Sequence, residues 1–195
     1  NNWATFSTEA VYAMYAKFPE FSSHDNWKTK TEAEYKRVLN GLVFEDGMCV
    51  ELSQNYHVTI LNTLTGPYTT YSKTKEPLPF DNSAKELIRN MVHSMLYQSG
   101  PYFGGFNMGD GYDTYDSDTQ YIYDTWYNIY FKDDPSITYM ATDGASGSMP
   151  ENPTTHYPVG LRTYMRSDWS QNALAMSFTN KMTGSHGHKD ALSVS

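Results

Sequence analysis

With 195 residues, the chain is long enough to bury a substantial core, either as one large domain or as two small ones. A net charge of −8 argues against broad nucleic-acid binding, and no apolar run approaches the length of a membrane span, so any polyanionic substrate has to meet a local basic patch. The 17 tyrosines suit two settings: a sugar-binding surface, where a flat ring stacks on a pyranose while its hydroxyl hydrogen-bonds, or a tyrosine-rich helical core.

The chain opens on Asn1-Asn2-Trp3, with no initiator methionine or signal peptide, and stops on Ser195 in mid-pattern. It therefore reads as a piece of a longer protein. The first half predicts helices. Ala10, Val11, Met14, Tyr15 and Phe18 recur at helical spacing until Pro19 ends the run. Trp27, Tyr35, Val38, Leu39 and Leu42 repeat the pattern, and Glu45-Asp46-Gly47 forms the turn after it. The lone cysteine, Cys49, has apolar neighbours and predicts a small buried residue. A third helix carries Val58, Leu61 and Leu64. In the fourth, Ser83-Ala84-Lys85-Glu86 reads as a capping-box start, Leu87, Ile88, Met91, Val92, Met95 and Leu96 form one stripe, and Gly100-Pro101 stops it.

A loop rich in glycine and aromatics follows, from Gly100 to Tyr115, and its glycines suit close approach of backbone to a ligand. Its spacing matches no phosphate-binding pattern. Ser117 to Phe131 predicts a further helix, with Asp133-Asp134-Pro135 as a break. After Asp143 the texture changes to Gly, Ser, Pro and Asn, and then to alternation at Val159, Leu161 and Thr163 and at Leu174, Met176 and Phe178. This switch from helix to strand predicts a domain boundary. Near the end, Gly184-Ser185-His186-Gly187-His188-Lys189-Asp190 places two histidines one residue apart. On an extended segment such residues share a face, so the pair either looks into one cavity or stands on a solvated loop.

Several segments together resemble the heparinase II/III-like polysaccharide lyases, a family that includes heparan sulfate lyases and alginate lyases. They are Asn2-Trp3, Phe18-Pro19-Glu20-Phe21, Asp46-Gly47, Glu51-Leu52-Ser53-Gln54-Asn55-Tyr56-His57, Gly109-Asp110, Arg166-Ser167-Asp168-Trp169 and His186-Gly187-His188-Lys189-Asp190-Ala191-Leu192-Ser193, in the family's order. The resemblance implies an α+β multidomain architecture. Residues 1–142 would be the C-terminal part of an (α/α) toroid, and residues 143–195 the start of an antiparallel β-sandwich. It also implies β-elimination at a uronic acid in an anionic polysaccharide, in a periplasmic or secreted protein. Asn55 matches the group that neutralises the uronate, with His57 beside it. On a helix these two diverge around the axis, so only one sits squarely in the site, and Asn55 is favoured.

Tyr112 is the expected proton carrier, with Tyr115 as the alternative and Asp110 orienting the loop. His186 matches the active-site histidine. His188 matches a ligand of a structural zinc, whose remaining ligands would lie beyond Ser195; a zinc site normally has four. Asn2, Trp3, Tyr115 and Arg166 are the candidate substrate-binding residues. Arg162, Arg89 and the lysines at 28, 30, 36 and 85 read mostly as solvated faces, and Trp169 as a core anchor in a strand. Heparan sulfate or heparin is the leading substrate class, and alginate is the alternative within the family. Two readings of other classes stay open: a non-catalytic polysaccharide-binding protein, and a metal-binding β-domain with an unrelated helical partner.

Overall fold

A computed structural model describes residues 3–99, 106, 117–180 and 192–194. Among the described residues, six helices precede a small antiparallel sheet: α1 Trp3–Lys17, α2 His24–Leu42, α3 Gln54–Thr74, α4 Asn82–Ser99, α5 Ser117–Ile129 and α6 Pro135–Ala141. Helix α3 lies at the centre and touches α1, α4 and α5. The main core is built from the predicted stripes, with Val38, Leu39 and Leu42 of α2, Ile60, Leu61 and Leu64 of α3, and Ile88, Met91, Val92 and Met95 of α4 all buried. Tyr35, Phe80, Trp126 and Phe131 add large rings to it.

Three local expectations need correction. The start of α4 is capped by Asp81 and not by Ser83. The Asp81 carboxylate accepts from the Ala84 amide at 2.8 Å, the Ser83 hydroxyl at 2.7 Å and the Lys36 ammonium at 3.0 Å. Those partners hold the Asp81 carboxyl well below its ordinary range. The Asp133-Asp134-Pro135 break is also a start. Asp134 accepts from the amides of Ser136 and Ile137, and Pro135 opens α6 where its missing N–H costs nothing. Third, of the stripe expected in α1 only Tyr15 is buried, and the buried face is rotated away from the rest of it. Thr5, Thr8, Tyr12 and Tyr15 point inward, while Val11, Met14 and Phe18 are exposed.

The strands are β1 Thr155–Tyr157, β2 Arg162–Arg166, β3 Ala175–Thr179 and β4 Ser193–Val194, in that spatial order with antiparallel neighbours. The expected alternation is present but its phase is inverted. Arg162, Tyr164, Arg166, Ser177 and Thr179 face inward, whereas Leu161, Met176 and Leu174, the last 80% exposed, face outward. Trp169 lies in the β2–β3 connection and not in a strand. Its ring packs 5.4 Å from Tyr97, and its indole N–H donates to the Pro150 carbonyl at 2.8 Å.

The sheet is tied to the helices by a second small core of Met48, Leu52, Phe106, Tyr157 and Tyr164, and by the half-buried Asp46. One Asp46 oxygen accepts from the amides of Val159 at 2.8 Å and Gly160 at 2.9 Å, and the other from the Met48 amide at 3.2 Å. Gly47 follows at φ +86°, a conformation that favours glycine, and packs on the backbone of Asn90 with no room for a side chain. Asp46→Ala strips three amides of a charged acceptor, and each such bond contributes roughly 1.5–3 kcal/mol. We expect it to lower unfolding free energy in urea titrations by about 3 kcal/mol, with Asp46→Asn losing less.

Candidate active site

Helix α3 carries the two family-matched residues Asn55 and His57 in its first turn, and its geometry turns them apart. Asn55 is half-buried, and its side-chain amide makes no hydrogen bond among the described residues. Its carbonyl is occupied by the Thr59 hydroxyl at 2.8 Å. His57 points the other way, 1% exposed, with Nε2 2.9 Å from the Met91 carbonyl of α4. A carbonyl only accepts, so Nε2 carries the proton and Nδ1 is left bare. Burial drives the His57 pKa down to about 4. The Met91 carbonyl opposes that shift, and the nearby positive Arg162 adds to it. The expectation that His57 acts beside Asn55 is therefore corrected, because its ring ties α3 to α4 inside the core.

Arg166 is corrected in the same way. It is 8% exposed, donates to the Tyr97 carbonyl at 3.3 Å, and stacks its guanidinium 5.6 Å from Phe106 and 5.8 Å from Trp169. Burial lowers its pKa. A group held in this way braces the sheet. Three further cations are paired with carboxylates. Lys28 pairs with Glu76 at 2.7 Å, Lys36 with Asp81 at 3.0 Å, and Arg89 lies 4.0 Å from Asp133.

Trp3 is 73% exposed at the start of α1, with its ring 6.2 Å from Phe6. Glu9 lies against Gly66, and the Tyr12 hydroxyl donates to the Glu76 carbonyl at 2.9 Å, so α1 and α3 run in the same direction. Trp3 thus lies toward the end of α3 that bears Asn55. Phe106 is the described point of the Gly-rich loop, and it stacks 5.6 Å from Tyr164 in the small core with Leu52, three residues before Asn55. Sequence reasoning missed Phe106 and Asp46 as the anchors of this corner. Only their shared neighbourhood reveals them, because their partners lie far away in sequence.

Asn2, Tyr112, Tyr115, His186 and His188 lie outside the described residues, as do Asp110 and Asp190. Among the described residues, no group of three or more His, Cys, Asp or Glu side chains is placed to hold a metal ion. No helix there is long and apolar enough to cross a membrane.

The sequence profile described as "Heparinase II/III N-terminus" matches residues 1–139. The chain is 27% identical over 160 residues to a heparin-sulfate lyase of Pedobacter heparinus, covering 82% of this chain and 24% of that protein. It is 23% identical over 175 residues to a heparin-sulfate lyase of Bacteroides stercoris, covering 90% of this chain and 26% of that one. The chain thus spans about a quarter of the length of the curated relatives it matches. Among solved structures, a heparinase III superposes with a TM-score of 0.88 at 22% identity, covering 97% of this chain and 29% of the other. The heparan sulfate lyase HepC of Pedobacter heparinus gives 0.86 at 24%, covering 97% and 30%. At these identities the structures establish shared fold.

The buried His57 makes stability pH-dependent in a definite window. The unfolded chain takes up this proton near pH 6.5, and the folded core resists it until about 4. The His57 contribution is therefore complete above about pH 6.5 and declines toward pH 4, by up to roughly 3 kcal/mol. Urea unfolding at pH 7, 6, 5 and 4 is expected to show that decline in the native protein and a flatter profile in His57→Gln.

Proposed function

The chain belongs to the heparinase II/III family, and from that premise we propose that the intact protein is a polysaccharide lyase. It would cleave a uronic-acid polymer of the heparan sulfate type by β-elimination. The observation that carries this reading is the likeness to two heparin-sulfate lyases over more than four-fifths of the chain. Asn55 supports it, as a half-buried amide at the head of α3 with no hydrogen bond among the described residues. In this reading the six helices belong to an (α/α) toroid and the strands to an antiparallel sandwich, in a periplasmic or secreted protein.

The chemistry assigns each residue a task. Removing the proton at C5 of the uronate builds negative charge on its carboxylate, and the Asn55 amide donates to that charge as it grows. Tyr112 takes the C5 proton and then protonates the departing glycosidic oxygen on C4, one phenol serving both steps. The electron pair of the broken C5–H bond becomes the C4–C5 double bond. His186 assists as a base or as a partner of the carboxylate. Trp3 is exposed and suited to stack on a sugar ring. His188 is one ligand of a structural zinc in the intact protein, and no chemical step passes through that metal.

The test uses the full-length protein with heparan sulfate, heparin, hyaluronan and alginate in turn, following the ultraviolet absorbance of the unsaturated uronate. A rise with heparan sulfate is expected, and no rise with any polymer overturns the reading. Tyr112→Phe should lose turnover while still binding the polymer. Asn55→Ala should lower kcat by about a hundredfold, the usual cost of one preorganised donor.

A further inference from the structure

We infer that Arg162 is a positioning residue: from the sheet, its guanidinium holds the turn that aims Asn55. The inference rests on the lyase reading above and adds a residue which that reading does not use. Arg162 opens β2, where it pairs with Tyr157 on β1 and Thr179 on β3, so its backbone is fixed from both sides. Its side chain is 3% exposed and crosses to the helical layer, where Nη2 donates to the carbonyl of Leu52.

Leu52 is an unusual place to hold. Its φ of 50° lies in the left-handed region, which is costly for leucine and persists only where the surroundings enforce it. Its side chain is buried in the small core with Met48, Phe106 and Tyr164, and its amide donates to the Cys49 carbonyl at 3.0 Å. The next residue, Ser53, is the N-cap of α3 and makes no side-chain capping bond. The start of α3 is therefore fixed from outside, through Leu52, instead of by its own cap.

Asn55 stands two residues into this turn. A donor that must meet a developing charge loses its effect when displaced by a fraction of an ångström to an ångström. A rotation of the Leu52 carbonyl passes directly into that displacement. The planar guanidinium suits the role because it keeps its direction when buried, whereas a lysine ammonium is a point charge on a flexible stem.

The experiment measures kcat and KM for heparan sulfate in the full-length protein, comparing wild type, Arg162→Lys, Arg162→Ala, Asn55→Ala and the Arg162→Ala/Asn55→Ala pair. Alongside it, amide hydrogen exchange is followed over residues 53–57. The expected result for Arg162→Ala is a kcat at least tenfold lower with KM within twofold. Free guanidinium at millimolar concentration should restore part of the rate, and sodium chloride at equal ionic strength should not. The pair should be no slower than Asn55→Ala alone, and exchange should rise at 53–57 but not in α4.

An unchanged kcat in folded Arg162→Ala, or losses that multiply in the pair, overturns the inference. If Arg162→Ala does not fold, Arg162→Lys carries the same kcat, rescue and exchange criteria. A wild type that yields no unsaturated product sinks the lyase reading instead, and unchanged exchange at 53–57 in the Arg162 variants then separately sinks the claim about the turn.

Discussion

Among the described residues, three charged side chains join the sheet to the helices, and each bonds to a backbone group across the join. Asp46 takes the amides of Val159 and Gly160, Arg162 gives to the carbonyl of Leu52, and Arg166 gives to the carbonyl of Tyr97. A buried charge is costly unless it is hydrogen-bonded, so each of these contacts demands one placement of the segment it meets. Side-chain ion pairs tolerate more slack, because both ends move. A guanidinium bound to a main-chain carbonyl positions the chain itself. The sheet therefore acts less as a separate layer than as a clamp on the loop from Val43 to Ser53.

The clamp matters because α3 serves two environments from one turn. Asn55 stands half-buried, and His57 is fully buried against Met91 of α4. The histidine fixes the rotation of the helix about its axis, and the Leu52 turn fixes where the helix begins. Rotation and origin together determine where the Asn55 amide lies, so two buried residues govern the position of a half-buried one.

Much of the helical layer was legible in the sequence because α2, α3 and α4 bury the same stripes that their spacing marks. Periodicity identifies which residues share a face, but it does not say which face this part of the chain covers. That is why the sheet came out in the right period and the opposite phase and α1 with its buried face rotated: Val11, Met14 and Phe18 face outward while Tyr15 is buried, and Leu161, Leu174 and Met176 face outward. Helix α6 is too short to show a period, and its Asp-Pro signature marks an end as readily as a beginning. The burial of Arg166 and His57 was hidden for another reason. Their partners are the main-chain carbonyls of Tyr97 and Met91, and a carbonyl leaves no signature in sequence. Asp46 and Val159, 113 residues apart, carry no local sign of their contact either.

Cys49 lies three residues before Leu52 in this same loop. Its backbone bridges to Val43, its sulfur accepts from the Glu51 amide at 3.4 Å, and burial pushes its thiol up to about 12. A thiol reagent needs both access and a thiolate, and the closed loop offers neither. Modification of this cysteine therefore waits on the loop swinging open, and its labelling rate becomes a native clock for how often the segment leading into α3 lets go.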